Sequence, residues 1–369
     1  MTQQSLNPSR LTVARKRRGL TKTSLSELLG VDLRTVTAYE SGEWTPEPDR
    51  VELLATALRF PVRFFLGDDL DELDPNTASF RALTKMTAKQ RDTALGAGRL
   101  AILLNEWVDE GFVLPPTNIP DSSREQSPEA SAMALRKEWG LGELPVKNMV
   151  HLLESQGVRV FSLSLDTLTV DAFSLWRQDT AFVFLNTNKS AEHSRFDAAH
   201  ELGHLLLHRH GAPQGQTAEK EAHAFAAAFL MPRGSVLANI PPRPITLERL
   251  VKLKRYWNVS VAALAYRFHS LAVLNDWQYR LLASQIASRG YRKNEPESSP
   301  RETSQVWEKV FASLRAEGVT IADIAADLHI PKQDIGELVF GLAMLSVDGS
   351  SMKKRSHDTQ RSPHLRAIP

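Results

Sequence analysis

The chain has no cysteine. That absence excludes disulfides, thiol nucleophiles and thiolate metal sites together, so any metal must be held by His, Asp or Glu. No stretch approaches the roughly 18 consecutive apolar residues that a membrane span requires. The opening segment, MTQQSLNPSRLTVARKRRG, lacks an apolar core and does not read as a secretory signal. Tandem repeats, a glycine-rich phosphate loop and a Ser-His-Asp arrangement are likewise missing. The expectation from these gaps is a cytoplasmic protein without disulfides.

A length of 369 residues exceeds what one small core needs and points to two or three domains. The 42% hydrophobic and 24% charged content is that of an ordinary globular chain. The net charge of +2 is unevenly spread. Arg15, Lys16, Arg17 and Arg18 form a basic run, whereas Asp68, Asp69, Asp71, Glu72 and Asp74 form an acidic stretch that marks a boundary. Residues 349–369 are polar and basic with no apolar period, as in a disordered tail.

From Arg10 to Leu66, apolar residues recur at helical spacing. Leu25, Leu28 and Leu29 share one short helix, which Gly30 ends in the left-handed conformation that glycine adopts at little cost. Asp32 is placed to cap a second helix, with Val36 and Tyr39 facing inward. Helix, glycine turn, helix is the unit whose second helix enters the major groove of DNA. Its exposed side then carries Leu33, Arg34, Thr37 and Ala38, flanked by Asp32 and Thr35. Arg34 is the candidate for a base edge, because its planar fork suits guanine. Lys22, Arg15, Arg17 and Arg18 are expected on phosphates, where they position the protein without reading sequence. The segment RLTVARKRRGLTKTSLSELLGVDLRTVTAYESGEWTP closely resembles the Cro/C1-type (XRE) helix-turn-helix family. The most specific part covers Leu28 to Pro46, and Lys22 stands where that family often has glutamine. The resemblance implies a double-stranded DNA operator, read as a homodimer across two half-sites, and a nucleoid-associated protein.

The sharpest chemical signal is His200-Glu201-Leu202-Gly203-His204. Surrounding alanines and leucines favour a helix, and residues four apart share a face, so both imidazoles can address one ion. Glu201 is then placed to act as general base on water. A third ligand is needed, and the following segment, AEKEAHAFAAAFLMP, offers Glu221 as leading candidate, with Glu219 and His223 as rivals. His208 lies on the same stripe but reads as a helix-end histidine. Upstream, GVRVFSL, TVDAFSLW and TAFVFLN read as short strands. Thr180 to Leu185 is the expected edge strand for pairing with an extended peptide. The runs FVFLN, AHELGHLLLH and EKEA-x-x-FAAAFLMP, about Phe182 to Pro232, resemble the ImmA/IrrE family of metallopeptidase domains. That resemblance implies a gluzincin-like site with one zinc per chain, ligands His200, His204 and Glu221, and Glu201 as base. It also implies a helix-turn-helix repressor as substrate. His223 stands where the family usually has Asn or Asp.

The expected fold is mainly α with a small β-sheet: an N-terminal all-α helix-turn-helix bundle, an α+β zincin-like domain and helical C-terminal segments. The expected boundaries are 1–68 for the DNA-binding domain, 69–130 for a linker with a connecting helix and 131–275 for the peptidase-like domain. A helical module at 276–348 and the tail at 349–369 complete the chain. Within these, LERLVKLKRYWNVSVAALAYRFHSL and VTIADIAADLHIPKQDIGELVFGL each show two helices about a turn. The expected function is a DNA-binding transcriptional regulator with a fused zinc metalloendopeptidase-like domain that would cleave a repressor or itself. The alternative is a non-catalytic transcription factor whose peptidase-like domain senses a ligand, metal or partner.

Overall fold

Asn7 opens the first helix by accepting the backbone N–H of Ser9 at 3.0 Å, with Pro8 supplying a φ already suited to a first helical residue. In this computed structural model, which describes residues 5–70, 73, 87–122, 126–163, 172–209, 215–339 and 341–343, that helix is α1, Pro8–Arg17. It is followed by α2 (Lys22–Leu29), α3 (Leu33–Ser41), α4 (Pro48–Leu58) and a 3-10 turn at Val62–Leu66. Gly30 ends α2 at φ 63°, the left-handed turn read from the sequence. Asp32 stands at the N-cap position of α3, although its side chain makes no capping bond. Leu11, Leu25, Val36, Leu54, Leu58 and Phe64 form the bundle's core.

The chain divides into two units. The described residues of the first are 5–70, 73, 87–115, 304–339 and 341–343, and those of the second are 116–122, 126–163, 172–209 and 215–303. In the first unit, α5 (Ala88–Gly111) packs against α1. Gly96 permits that contact, because a Cβ there would lie 2.8 Å from the Arg17 backbone. The helices α14 (Gln305–Ala316), α15 (Ile321–Leu328) and α16 (Lys332–Val339) belong to this unit too, with α15 and α16 against α5. Residues 69–130 and 276–348, expected as separate segments, are not so divided: α5 and the last three helices share the first unit's contacts. The expected tail at 349–369, and Asp71, Glu72 and Asp74 of the acidic stretch, lie outside the described residues.

The second unit begins with α6 (Pro128–Glu138) and α7 (Met149–Ser155). Three strands follow: β1 (Arg159–Leu163), β2 (Ala172–Arg177) and β3 (Thr180–Asn186). They form one sheet in the order β1-β3-β2, with β1 parallel to β3 and β2 antiparallel to it. Thr180 to Leu185 was the expected edge strand. It is the central one, because β3 has ladder partners on both sides, and the edges among the described residues are β1 and β2. Two long helices, α8 (Ala191–Leu207) and α9 (Gln216–Leu230), pack on each other, and α8 lies against β2 and β3. Then come α10 (Arg233–Ala238), α11 (Leu247–Lys254), α12 (Val261–Ser270) and α13 (Asp276–Ser288), with Asn258 turning the chain between α11 and α12 at φ 53°. The fold is thus mainly α with a small sheet, as expected. Among the described residues, no helix is long and apolar enough to cross a membrane.

Candidate functional site

Ser190 starts α8 by accepting the His193 N–H at 3.2 Å, which sets the phase of the helix. His200, His204 and His208 then fall one turn apart on a single face. The partner helix approaches closely because residue 203 is glycine. A Cβ there would meet Phe225 Cδ1 at 3.0 Å and Ala222 Cα at 3.2 Å. Across this contact, the Nε2 atoms of His200 and His204 stand 3.1 Å apart. Glu219 faces both, with Oε2 3.5 Å from His200 Nε2 and Oε1 3.3 Å from His204 Nε2.

These three residues are the one group among the described residues that could hold a metal ion. Tetrahedral ligands about 2.05 Å from a zinc ion lie roughly 3.3 Å from one another, and the three separations bracket that value. Glu219 Oε1 is buried without a hydrogen-bond partner, an arrangement that a cation would satisfy. Two imidazoles and one carboxylate, with no fourth protein donor among the described residues, is also the composition of a catalytic zinc site with an open position. Burial opposes the charge on Glu219, but the contacts from His200 and His204 outweigh it and hold the carboxyl well below its ordinary range. For His200, burial works against protonation, and the neighbouring carboxylates Glu219, Glu201 and Asp197 reverse the balance and raise its pKa.

Glu221, the leading candidate from sequence, does not join this group. Its Oε2 lies 3.0 Å from His208 Nε2. At 100° per residue, Glu219 and Glu221 sit about 90° and about 70° from the centre of the buried stripe formed by Ala218, Ala222, Phe225 and Phe229, on opposite flanks. Helical phase alone therefore could not choose between them; the crossing of α8 and α9 does. The other rival, His223, lies beside the group, with its ring 6.4 Å from that of His200 and in contact with Phe196 and Tyr266. Burial and the nearby His200 charge push its pKa down.

Glu201 is 2% exposed and accepts a 2.7 Å hydrogen bond from Ser174 Oγ of β2. One turn earlier, Asp197 has a buried Oδ2 without a hydrogen-bond partner, and burial pushes its carboxyl up to about 7. His193 approaches its other oxygen at 3.6 Å.

In the first unit, α3 presents Leu33, Arg34 and Thr37 to solvent, with Thr35 half-buried. Arg34 lies over the Trp44 ring, 5.8 Å from its centroid. Ala38 does not share this surface: it is 1% exposed and packs inside the bundle with Val36. The basic run is also placed differently from the expectation. Arg15 binds the Glu40 carboxylate and the Leu20 carbonyl, and Arg17 binds Asp334 and Glu337 of α16. Arg18 donates to Asp334 and to the carbonyls of Leu58 and Arg59, and lies over Phe60. Arg15 and Arg17 are thus buried inside the unit, and Arg18 is committed there, rather than held ready for phosphate. Lys22 remains half-exposed, 3.4 Å from Glu40.

Residues 13–65 match the family described as Helix-turn-helix, and residues 153–269 match the IrrE N-terminal-like domain, a peptidase family. The chain joins a DNA-binding helix-turn-helix domain to a peptidase-like domain. No curated protein matches the chain.

Within this fusion, two participants escaped the sequence reading. Ser174 is the one polar residue in the buried run Ala172–Leu175 of β2, and that exception was the available signal. The pairing of His208 with Glu221 spans the loop between α8 and α9, so no helical period announces it.

Proposed function

We propose that the chain is a sequence-specific transcriptional regulator whose second unit is a zinc metalloendopeptidase. His200, His204 and Glu219 are the zinc ligands, and Glu201 is the general base. The carrying observation is the cluster of ligand atoms built by two helices around Gly203: the two imidazole Nε2 atoms 3.1 Å apart, with one Glu219 oxygen 3.3 Å from His204 and the other 3.5 Å from His200. When bound, zinc supplies Lewis acidity that acidifies water and polarises a carbonyl. Glu201, next to His200 on α8, takes the proton from the attacking water and delivers it to the leaving amine. Ser174 supports this role: its hydroxyl donates to one carboxylate oxygen and so fixes the orientation of the group. Strand β2 lies beside α8 with β3 as its one described ladder partner, so its outer edge suits main-chain pairing with an extended peptide. The substrate on this reading is a helix-turn-helix repressor or the chain itself. Residues 1–68 would read the operator as a homodimer, with Arg34 on a base edge and Lys22 on phosphate, and 131–275 would form the peptidase domain.

The test is metal content of the wild type beside His204→Ala and Glu201→Gln. Cleavage of the chain itself, and of a mixed peptide library, is read by mass spectrometry on the same samples. About one zinc in wild type and Glu201→Gln, with cleavage by wild type alone, is the expected result. Absence of zinc from wild type would refute the reading. A second reading, a domain that binds metal or a partner without turnover, is favoured by the near-complete burial of Glu201. Zinc without any cleavage would select it. For the first unit, Arg34→Ala should weaken operator binding more than binding to unrelated duplex, by about 1–3 kcal/mol. Equal loss on both would move Arg34 to the phosphate backbone.

A further inference from the structure

The third histidine of α8 stands in line with the metal-facing pair. His208 Nδ1 lies 2.9 Å from His204 Nδ1, and His208 Nε2 lies 3.0 Å from Glu221 Oε2. The two rings are 11% and 4% exposed, respectively. Both contacts are at hydrogen-bond distance, so each must carry one proton.

If His204 Nε2 is bare, as a ligand nitrogen must be, a single assignment for neutral rings satisfies both bonds. His204 carries its proton on Nδ1 and donates it to His208 Nδ1. His208 then carries its own proton on Nε2 and donates it to the Glu221 carboxylate. A metal-bound histidine generally donates its other N–H to an acceptor that fixes the ring's tautomer and rotation and raises its basicity. Here that acceptor is a second imidazole, itself anchored by a carboxylate from the facing helix.

We propose that Glu221 and His208 form a positioning relay that holds His204 in its ligating tautomer and tightens zinc binding at the His200–His204–Glu219 site. This rests on the metal site proposed above. It also explains why the sequence offers two glutamates two residues apart: Glu219 faces the ion, and Glu221 orients a ligand. Neither His208 nor Glu221 is a catalytic residue on this account.

The test measures zinc affinity of the full chain by competition with a chromophoric chelator, with unfolding of the metal-free proteins as the check on folding. His208→Phe preserves ring volume and removes both nitrogens, so the zinc dissociation constant should rise about 10- to 100-fold. His208→Asn fills the space less well, but its Oδ1 stands near the former Nδ1 and can accept the His204 proton. It should bind zinc more tightly than His208→Phe. Glu221→Gln should weaken binding less than His208→Phe does. A role in packing alone predicts the opposite order, with Phe better than Asn. That order, or wild-type affinity in His208→Phe, overturns the relay. Glu219→Ala separates the two layers of the argument. If wild type binds zinc and Glu219→Ala does not, the metal site stands and the His208 variants judge the relay alone. If wild type binds no zinc, the site and the relay fall together.

Discussion

Replacing Arg17 by Met tests whether the basic run of α1 serves DNA or the fold. The guanidinium is 6% exposed, and it joins Asp334, 2% exposed, to Glu337 of α16. Removing one partner of a buried ion pair costs about 3–5 kcal/mol, because the other charge is left uncompensated. Two features reduce that figure here. Arg18 keeps its bonds to Asp334 at 2.8 and 3.0 Å, and Glu337 is 28% exposed and so reaches water. Methionine also retains much of the aliphatic packing. A loss of about 2–3 kcal/mol follows. At roughly 4 °C per kcal/mol for a unit of this size, the unfolding midpoint should drop by about 8–12 °C. Hydrogen exchange at α1 and α16 would assign the loss to this contact. The second assay is the salt dependence of binding to duplex DNA of arbitrary sequence, measured at a temperature where both proteins are folded. Each phosphate contact contributes about 0.9 to the slope of log affinity against log salt. Arg17→Met should leave that slope unchanged, whereas Lys22→Met should lower it by about 0.9. A stable Arg17→Met protein with a reduced slope would refute the structural assignment and restore the phosphate contact expected from sequence.

Gly203→Ala should cost about 1–3 kcal/mol, because the new methyl meets Phe225 and Ala222 across the helix crossing. Zinc binding should weaken with it as Glu219 is pushed back, and unchanged affinity would show that the crossing does not set the site. Asp197→Asn tests the raised carboxyl. With a folded pKa near 7 against an ordinary 3.8, the folded chain keeps a proton that the unfolded chain has released. Wild-type stability therefore falls as pH rises from about 4 to about 7. Urea midpoints of the metal-free Asn variant should lack that part of the decline, and parallel profiles for the two proteins would contradict it.

Much of the architecture was readable from local rules. Gly30 and the helical spacing of Leu25, Leu28 and Leu29, then of Val36 and Tyr39, announce the N-terminal bundle, because a glycine stop and a helical apolar period act within one or two turns. The strands GVRVFSL and TAFVFLN announce themselves by β-branched and aromatic content, but their order does not. That Thr180–Asn186 is central depends on β1 and β2 both finding it, which is a matter of pairing rather than propensity. The basic run illustrates the same limit. Arg15, Arg17 and Arg18 look alike in sequence, and their partners lie 25, 317 and 316 residues away in Glu40 and Asp334.

For the proposed metal site, the pairing of His200 and His204 was determined by the sequence itself, since two residues four apart on one helix must share a face. So was Glu201 beside them. The placing of Glu219, and not Glu221, beside that pair belonged to the tertiary structure. Both flank the buried stripe of α9, one on each side, and only the angle and closeness at which α9 crosses α8, set by Gly203 against Ala222 and Phe225, turns one toward the imidazole pair and the other toward His208. Contacts within a helix follow from its period; contacts between helices follow from packing, which no single stretch of sequence contains.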